Sequence, residues 1–380
     1  MTKHADFKRR VRARMAKTGE SYAIARRRLL GEQPTPTEER MAAALHISNG
    51  DCTDLAGTGL ARHIVYWRDV LHEGPVPALA HEELRRVRTA FLMGADADDH
   101  AEGTRMFQRR DAAVEAHRDG EYVLWFEADL YDQLQIVQIL SRLAELEVPA
   151  GRVTLICIGE HPGIARFGGL GELRPDQLAE LPATRACATL TPDALDLATR
   201  AWAAFRAPAP DGLPAIAAVR SSELRFLGEA FDRLSREYPS TRDGLSLTER
   251  RILAAAAQAP TASSTAGSTA GSTASSTAGD VFVRASAREA RPYLGDTWCY
   301  AAIDRLARAP HPLLSALPAD GPAGPATEVR LTGIGARVLA GEADHVTLNG
   351  IDRWIGGVHL TGHDVRWRWD EGRECLTGWD

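Results

Sequence analysis

The chain has 380 residues, of which 44% are hydrophobic and 25% are charged, and its formal net charge is −6. This composition is that of a globular protein, and it excludes a collagen-like chain, a disulfide-rich scaffold and a chain that is disordered throughout. The length predicts two or three domains, each with its own core.

Neither a membrane span nor an export signal is visible in the sequence. No apolar run approaches the roughly 20 residues that cross a bilayer, and residues 1–14 are too rich in charge to contain the apolar centre of a signal peptide. The five cysteines are far apart and form no CxxC pair, so the sequence indicates neither a zinc site nor a disulfide framework. We therefore expect a cytoplasmic protein that does not contact membranes.

The segment 1–32 is predicted to be a basic helical arm. Its first 30 residues contain ten Lys or Arg against two acids, and they predict two short helices at 5–17 and 21–30. Two interpretations are open: an arm that binds the phosphates of nucleic acid, or a helical pair that docks on the acidic remainder of the chain or on a partner. Residues 33–44 are predicted to be a linker.

From residue 45, short apolar runs alternate with longer amphipathic segments. Apolar residues at helical spacing over 130–146 predict a helix between two of the runs. Strands that are joined by helices imply a mainly parallel sheet covered on both faces. We therefore predict an α/β fold, with a Rossmann-like domain and its helical extension over 45–239. The predicted strands are 45–48, 63–67, 122–126 and 153–158.

Residues 245–380 predict a winged-helix-like domain. A helix near residue 250 comes first and a second helix is expected at 297–307. A hairpin at 328–339 follows, with a Leu-Thr-Gly run of the kind that often closes a wing. Residues 261–279 consist only of Ser, Thr, Ala and Gly. They can bury nothing, so we predict a disordered loop within this domain.

Acidic side chains follow the predicted strands at their carboxyl ends, which is where open parallel sheets bind ligands. Several carboxylates that share one edge need a cation or protonation, because like charges raise each other's pKa. Mg²⁺ or Mn²⁺ suits such oxygen ligands and typically serves phosphoester chemistry. Asp51 and Asp129 also suit the caps of the helices that follow them. The predicted metal ligands are Asp51, Asp69, Glu127 and Asp129.

Other residues near the same edge are predicted to bind or process a nucleotide or a phosphorylated small molecule. Glu73 or His161 would transfer protons. The two tryptophans among the binding residues would stack on a base or wall off a pocket, or else pack in the core. The sequence contains no GxGxxG and no GxxxxGK[ST] motif, which disfavours a dinucleotide fingerprint and a P-loop. The predicted substrate-binding residues are Asn49, Gly50, Trp67, Trp125 and Gln133.

Three segments around these residues resemble the bacterial domain of unknown function family 1835. They are HISNGD at 46–51, WRDVLHEGPV at 67–76 and LWFEADLYDQL at 124–134, and the similarity spans about residues 45–165. The tail, which includes WIGGVHL at 354–360, resembles the C-terminal region of actinobacterial members. The resemblance implies domain boundaries and motif residues, and it implies no particular reaction.

Two functions follow from these patterns. The first is a ligand or nucleotide site at the acidic edge of the sheet, with metal-dependent phosphoester chemistry. The alternative is a nucleic-acid-binding regulator that uses the basic arm and the winged helix. Residues 245–380 contain 13 Arg against 15 Asp or Glu, which is a poor balance for neutralising phosphates. In this alternative we therefore expect the arm to supply the contacts with DNA.

Overall fold

The computed structural model describes residues 3–18, 22–31, 36–94, 97–258, 276–317 and 321–378. The chain forms two compact units. Among the described residues, no helix is both long and apolar enough to cross a membrane. Unit 1 comprises residues 1–71, 79–203 and 219–227, and unit 2 comprises residues 72–78, 204–218 and 228–380.

A mainly parallel sheet forms the centre of unit 1. Its strands are β1 (Leu45–Ser48), β2 (His63–Tyr66), β3 (Tyr122–Glu127), β4 (Val153–Ile158) and β5 (Cys187–Thr189). Within the described residues the sheet has five strands in the order β2-β1-β3-β4-β5. The first four strands are parallel and β5 is antiparallel to β4. The predicted α/β class with a mainly parallel sheet is confirmed, while the short strand β5 was not predicted.

Helices surround this sheet. They are α1 (Lys3–Thr18), α2 (Tyr22–Leu30), α3 (Pro36–Ala43), α4 (Leu55–Thr58), α5 (His81–Met93), α6 (Ala97–Ala116), α7 (Leu130–Glu145), α8 (Pro175–Glu180) and α9 (Pro192–Arg206). Strand β3 is buried along Tyr122–Phe126, as expected for a strand that is covered on both faces. Helix α3 occupies residues 36–43 of the segment 33–44 that was predicted to be a linker.

The basic segment contributes α1 and α2 to unit 1. Val11 and Ala25 are fully buried, whereas Lys8, Arg10 and Arg12 are exposed. Helix α1 therefore buries Val11 and exposes its cations to solvent, as the spacing of its residues predicts.

Unit 2 combines short helices with small antiparallel sheets. Its helices are α10 (Leu213–Ala217), α11 (Leu227–Ser235), α12 (Leu247–Ala256), α13 (Ala278–Ser286), α14 (Asp296–Arg308), α15 (Gly333–Ala340) and α16 (His345–Asn349). Its strands are β6 (Ser276–Thr277), β7 (Leu314–Leu317), β8 (Glu328–Leu331), β9 (Ile351–Ile355), β10 (Val358–Gly362), β11 (Arg368–Asp370) and β12 (Cys375–Thr377). The described strands form a sheet in the order β6-β8-β7 and the two ribbons β9-β10 and β11-β12.

Two local predictions in unit 2 were wrong. The segment 328–339 is not a hairpin, because β8 pairs with the preceding strand β7 and Thr332 caps α15 by accepting a hydrogen bond from the Gly335 N–H. The predicted disordered loop also ends too late. Residues 276–279 form β6 and the start of α13, where Thr277 and Asp280 make a reciprocal capping box. The rest of that loop, residues 261–275, lies outside the described residues.

Candidate functional site at the carboxyl edge of the sheet

A cleft of about 370 Å³ lies at the carboxyl ends of β1 and β3. This is the point at which the strand order reverses, since β2 lies on one side of β1 and β3 on the other. Open α/β sheets bind their ligands outside the strand ends at such a switch point. We call it the sheet-edge cleft. Its lining residues are Asn49, Gly50, Cys52, Thr53, Glu127, Tyr131, Gly168, Gly169, Gly171 and Glu172.

Three carboxylates meet beside this cleft. Glu127, Asp129 and Asp132 each offer an oxygen, and these atoms lie within 4.8 Å of one another. Glu127 is the last residue of β3, and Asp129 caps α7 by accepting a hydrogen bond from the Asp132 N–H at 3.1 Å. The strand-to-helix turn thus brings the three side chains together, and the α7 N-terminus favours negative charge there. We call these residues the acidic triad, and Glu127 is the member that lines the cleft.

Hydrogen bonds hold the triad from both sides of the cleft. The Asn49 Nδ2 donates to the Asp132 Oδ1 at 2.8 Å, and the Glu127 main-chain N–H donates to the other Asp132 oxygen. The Leu170 N–H donates to the Glu127 Oε1 at 2.6 Å. The loop after β4 is therefore fastened to the triad by its backbone.

The triad retains protons more readily than ordinary carboxyl groups. Burial raises the pKa of Glu127 to about 8, and the charge of Asp129 adds to the rise. Burial, followed by the charges of Asp129 and Glu127, raises the pKa of Asp132 well above its usual value. Full ionisation of the triad at neutral pH therefore requires a compensating cation.

A glycine brings the loop after β4 against the triad. Gly169 has φ +152°, and a Cβ at this position would lie 2.8 Å from both carboxylate oxygens of Glu127. Any larger residue would meet Glu127 and would also adopt an unfavourable backbone conformation. Glycine at this position therefore allows the backbone of the loop to approach the carboxylate.

Two of the predicted metal ligands are not in the triad. Asp51 is exposed and pairs with Arg68 at 2.7 Å. Asp69 is buried and pairs with Arg88 of α5 at 2.8 Å. Both carboxylates pair with a guanidinium instead of joining the triad, and their role as metal ligands stays a prediction that the geometry does not support. Glu127 and Asp129 are brought together as predicted.

The two tryptophans pack in the core of unit 1, and neither lines the cleft. The Trp67 indole donates to the Gln138 Oε1 at 2.5 Å, and the Arg110 guanidinium lies 3.8 Å from the centre of its ring. The Trp125 indole donates to the His46 Nδ1 at 2.9 Å. Of the two alternatives that the sequence left open, these buried positions favour packing in the core.

The remaining predicted residues are divided between the cleft and other places. Asn49 and Gly50 line the cleft. Gln133 is buried beneath it and donates to the Glu127 carbonyl at 2.8 Å, so it supports the strand-to-helix turn. His161 bridges to Ile164 outside the set of lining residues. Glu73 belongs to unit 2, where burial raises its pKa and the charge of Arg353 opposes the rise.

Sequence analysis did not select several residues of the site. Asp132 lies three residues after the cap Asp129, a position that carries a backbone contact in many helices, and this spacing was the available signal. Cys52 and Thr53 follow the predicted Asn49-Gly50 turn. The glycines at 168–171 carry no periodic pattern, so the sequence does not relate them to β3.

No protein-family model matches this chain, and no curated protein sequence matches it. The resemblance of its three motif segments to the domain of unknown function family 1835 therefore stays a prediction.

Proposed function

We propose that the sheet-edge cleft binds Mg²⁺ or Mn²⁺ together with a nucleotide or a phosphorylated small molecule, in support of metal-dependent phosphoester chemistry. One observation carries the proposal: three carboxylates lie within 4.8 Å of one another beside a cleft at the switch point of a mainly parallel sheet. The strand order also supports a Rossmann-like arrangement of unit 1.

The chemistry of the donor set favours a hard divalent cation. Mg²⁺ and Mn²⁺ prefer oxygen ligands. Each oxygen of Asp132 receives one hydrogen bond, and a carboxylate oxygen has two lone pairs, so these bonds leave acceptor capacity. A bound cation would neutralise the triad and supply charge stabilisation to a phosphoryl group.

The other lining residues suit the polar end of a ligand. The Thr53 and Tyr131 side chains carry hydroxyl groups beside the cleft, and Gly50 leaves its backbone accessible. Glu127 is the member of the triad that lines the cleft, and burial raises its pKa to about 8 when no cation is bound. Binding of the cation would therefore release its proton. Neither Glu73 nor His161, which the sequence suggested for proton transfer, lines the cleft.

Titration with Mn²⁺, followed by electron paramagnetic resonance of the free ion, tests the proposal. We expect one Mn²⁺ per chain, with affinity at least about tenfold weaker in Glu127→Gln and Asp129→Asn. Asparagine is also a good helix cap, so the second variant keeps α7 intact. The matched control is Asp51→Asn, which removes an exposed carboxylate outside the triad. Equal binding by all four proteins, or no binding at millimolar Mn²⁺, contradicts the proposal.

The thiol of Cys52 reports on occupancy of the cleft. Cys52 is exposed, whereas the other cysteines are buried or partly buried. AMP, ADP and ribose 5-phosphate, each added with Mn²⁺, should slow alkylation of Cys52 if they enter the cleft. The same ligands should not protect Cys52 in the Asp129→Asn variant.

A second candidate function is supported by unit 2 and the basic segment. The order α12-β6-α13-α14-β7-β8 and the sheet order β6-β8-β7 support a winged helix-turn-helix, and α1 exposes Lys8, Arg10 and Arg12. In a nucleic-acid-binding regulator these cations would contact phosphates. Binding to duplex DNA should then weaken steeply with salt, and replacement of the three cations by Gln should flatten that dependence. No binding at low salt excludes this candidate.

A further inference from the structure

Unit 2 contains a second cleft, with a volume of about 330 Å³. It lies between the turn that joins α11 to α12 and the ribbon β11-β12. We call it the arginine cleft because three guanidinium groups line it. The residues that matter here are Arg236, Tyr238, Arg242, Arg250, Trp369 and Glu371.

Backbone hydrogen bonds fix the two walls of this cleft. The Trp369 N–H donates to the Pro239 carbonyl at 2.9 Å, and the Thr241 N–H donates to the Trp369 carbonyl at 2.9 Å. The Ser240 Oγ donates to Glu371 at 3.1 Å. These hydrogen bonds hold the turn at 239–241 against the ribbon that carries Trp369. The cleft is therefore preorganised for a ligand.

One arginine of the cleft is neutralised by the protein. Arg250 pairs with the buried Asp243 at 2.6 Å and with Glu371 at 2.5 Å. The charge of this guanidinium is balanced by the two carboxylates. Arg250 therefore lines the cleft as a neutralised polar group.

Arg242 forms no ion pair among the described residues. Its charge acts on the neighbouring carboxyl of Asp243, but that carboxylate is paired with Arg250. Its Nη2 donates to the carbonyls of Leu339 and Ala340, each at 3.4 Å, which are long hydrogen bonds. Arg242 is exposed, so it is free to turn toward an anion.

Arg236 presents unused donors. Its Nε donates to Asp232 at 3.1 Å, and its guanidinium lies 5.1 Å from the centre of the Trp369 ring. Among the described residues its two terminal nitrogens have no hydrogen-bond partner. Stacking on an aromatic ring occupies the face of a guanidinium and leaves the N–H groups at its edge available.

A tyrosine adds to this excess of donors. Tyr238 is almost fully buried, and its hydroxyl has no hydrogen-bond partner among the described residues. Buried polar groups are normally paired. The cleft thus combines an unpaired hydroxyl, an arginine without an ion pair and guanidinium edges with unused donors, while its lining carboxylate, Glu371, already accepts from Ser240 and pairs with Arg250.

We infer that the arginine cleft binds the phosphate group of a small phosphorylated molecule, at a site separate from the sheet-edge cleft. A phosphate carries several strong acceptor oxygens, and arginine forks match its geometry in paired hydrogen bonds. The volume of about 330 Å³ is at the lower end of the range for small-molecule sites. The proposed ligand is therefore compact.

Calorimetric titration of the full chain with inorganic phosphate, in EDTA and at constant ionic strength, tests the inference. We expect saturable binding that is at least about tenfold weaker in Arg242→Gln and in Arg236→Gln, because each loses charged hydrogen bonds to the anion. Arg337→Gln is the matched control, since Arg337 is an exposed arginine of unit 2 outside the cleft. Circular dichroism establishes that each variant is folded.

Two competition titrations and one further variant identify the site and the source of the phosphate. Glucose 6-phosphate should compete with inorganic phosphate, whereas a single-stranded oligonucleotide should not. Asp129→Asn, in the sheet-edge cleft, should bind phosphate as the unmodified chain does. The inference is overturned if phosphate does not saturate the protein, if Arg242→Gln and Arg236→Gln bind as well as the control, if Asp129→Asn abolishes binding, or if the oligonucleotide is the better competitor.

Discussion

Asn49, which follows β1, donates from its Nδ2 to the Oδ1 of Asp132 in the first turn of α7 at 2.8 Å. The bond connects the ends of two neighbouring strands, because Asp132 also accepts from the backbone at the end of β3. The Asn49 side chain, which lines the sheet-edge cleft, thereby connects β1 to the strand-to-helix turn after β3.

Loss of this amide should therefore destabilise unit 1. We expect Asn49→Ala to lower the free energy of unfolding by about 1–3 kcal/mol, because a buried carboxyl oxygen loses its donor. Urea unfolding measures the change. Asp51→Ala, two residues away and exposed, should stay within about 0.5 kcal/mol of the unmodified chain. Equal effects of the two substitutions would show that the Asn49 bond contributes nothing.

The raised pKa of Glu127 predicts how stability depends on pH. Its pKa is about 8 in the folded chain, above its ordinary value, so the folded state keeps a proton that the unfolded state has already released. The free energy of unfolding should fall as pH rises from about 4.5 to about 8, by a few kcal/mol. Asp132 acts in the same direction.

Urea unfolding in EDTA across this pH range measures the effect. Glu127→Gln is neutral at every pH and should flatten the decline. In a parallel series without EDTA, Mn²⁺ should also reduce the decline by stabilising the ionised triad. A pH profile in the unmodified chain as flat as that of Glu127→Gln would show that Glu127 titrates normally.

The contact between Gly169 and Glu127 predicts a strong effect of a single methyl group. Gly169→Ala places a Cβ against the carboxylate at a φ that L-residues rarely adopt, so we expect a loss of about 1–3 kcal/mol in stability and weaker binding of Mn²⁺. Gly151→Ala is the control, because that position has open space around it. Calorimetry and Mn²⁺ titration should separate the two variants, and equal behaviour would contradict the close approach seen here.

Asp69 and Arg88 form a buried ion pair, and this assigns Asp69 a structural role. Asp69→Asn leaves the Arg88 guanidinium uncompensated, so we expect a loss of about 3–5 kcal/mol with no change in Mn²⁺ affinity where the chain is folded. The exposed pair of Arg86 and Glu82 is the control, since Arg86→Ala should cost at most about 1 kcal/mol. Weaker Mn²⁺ binding by folded Asp69→Asn would restore Asp69 as a ligand.

The sequence allowed the mainly parallel sheet and two members of the triad to be predicted, because apolar runs and the acids that follow them are local patterns. Long-range pairing could not be predicted in this way. Asp69 and Glu127 both follow strands, yet Asp69 pairs with Arg88, 19 residues further on, whereas Glu127 joins Asp129 and Asp132. The predicted hairpin at 328–339 was wrong because β8 pairs with the earlier strand β7. The Leu-Thr-Gly run has the residues of a turn, but its Thr332 caps α15.

The unpaired hydroxyl of Tyr238 leads to a prediction of opposite sign from the others. Tyr238→Phe removes a buried donor that has no partner among the described residues, so in phosphate-free buffer the free energy of unfolding should rise by about 1 kcal/mol. Tyr122→Phe is the matched control: the Tyr122 hydroxyl is also buried, but it donates to the Val114 carbonyl at 2.7 Å, so its loss should destabilise the chain. Urea unfolding of the two variants compares them directly. If Tyr238→Phe destabilises the protein as much as Tyr122→Phe does, the Tyr238 hydroxyl has a protein partner, and it is not part of the excess of donors in the arginine cleft.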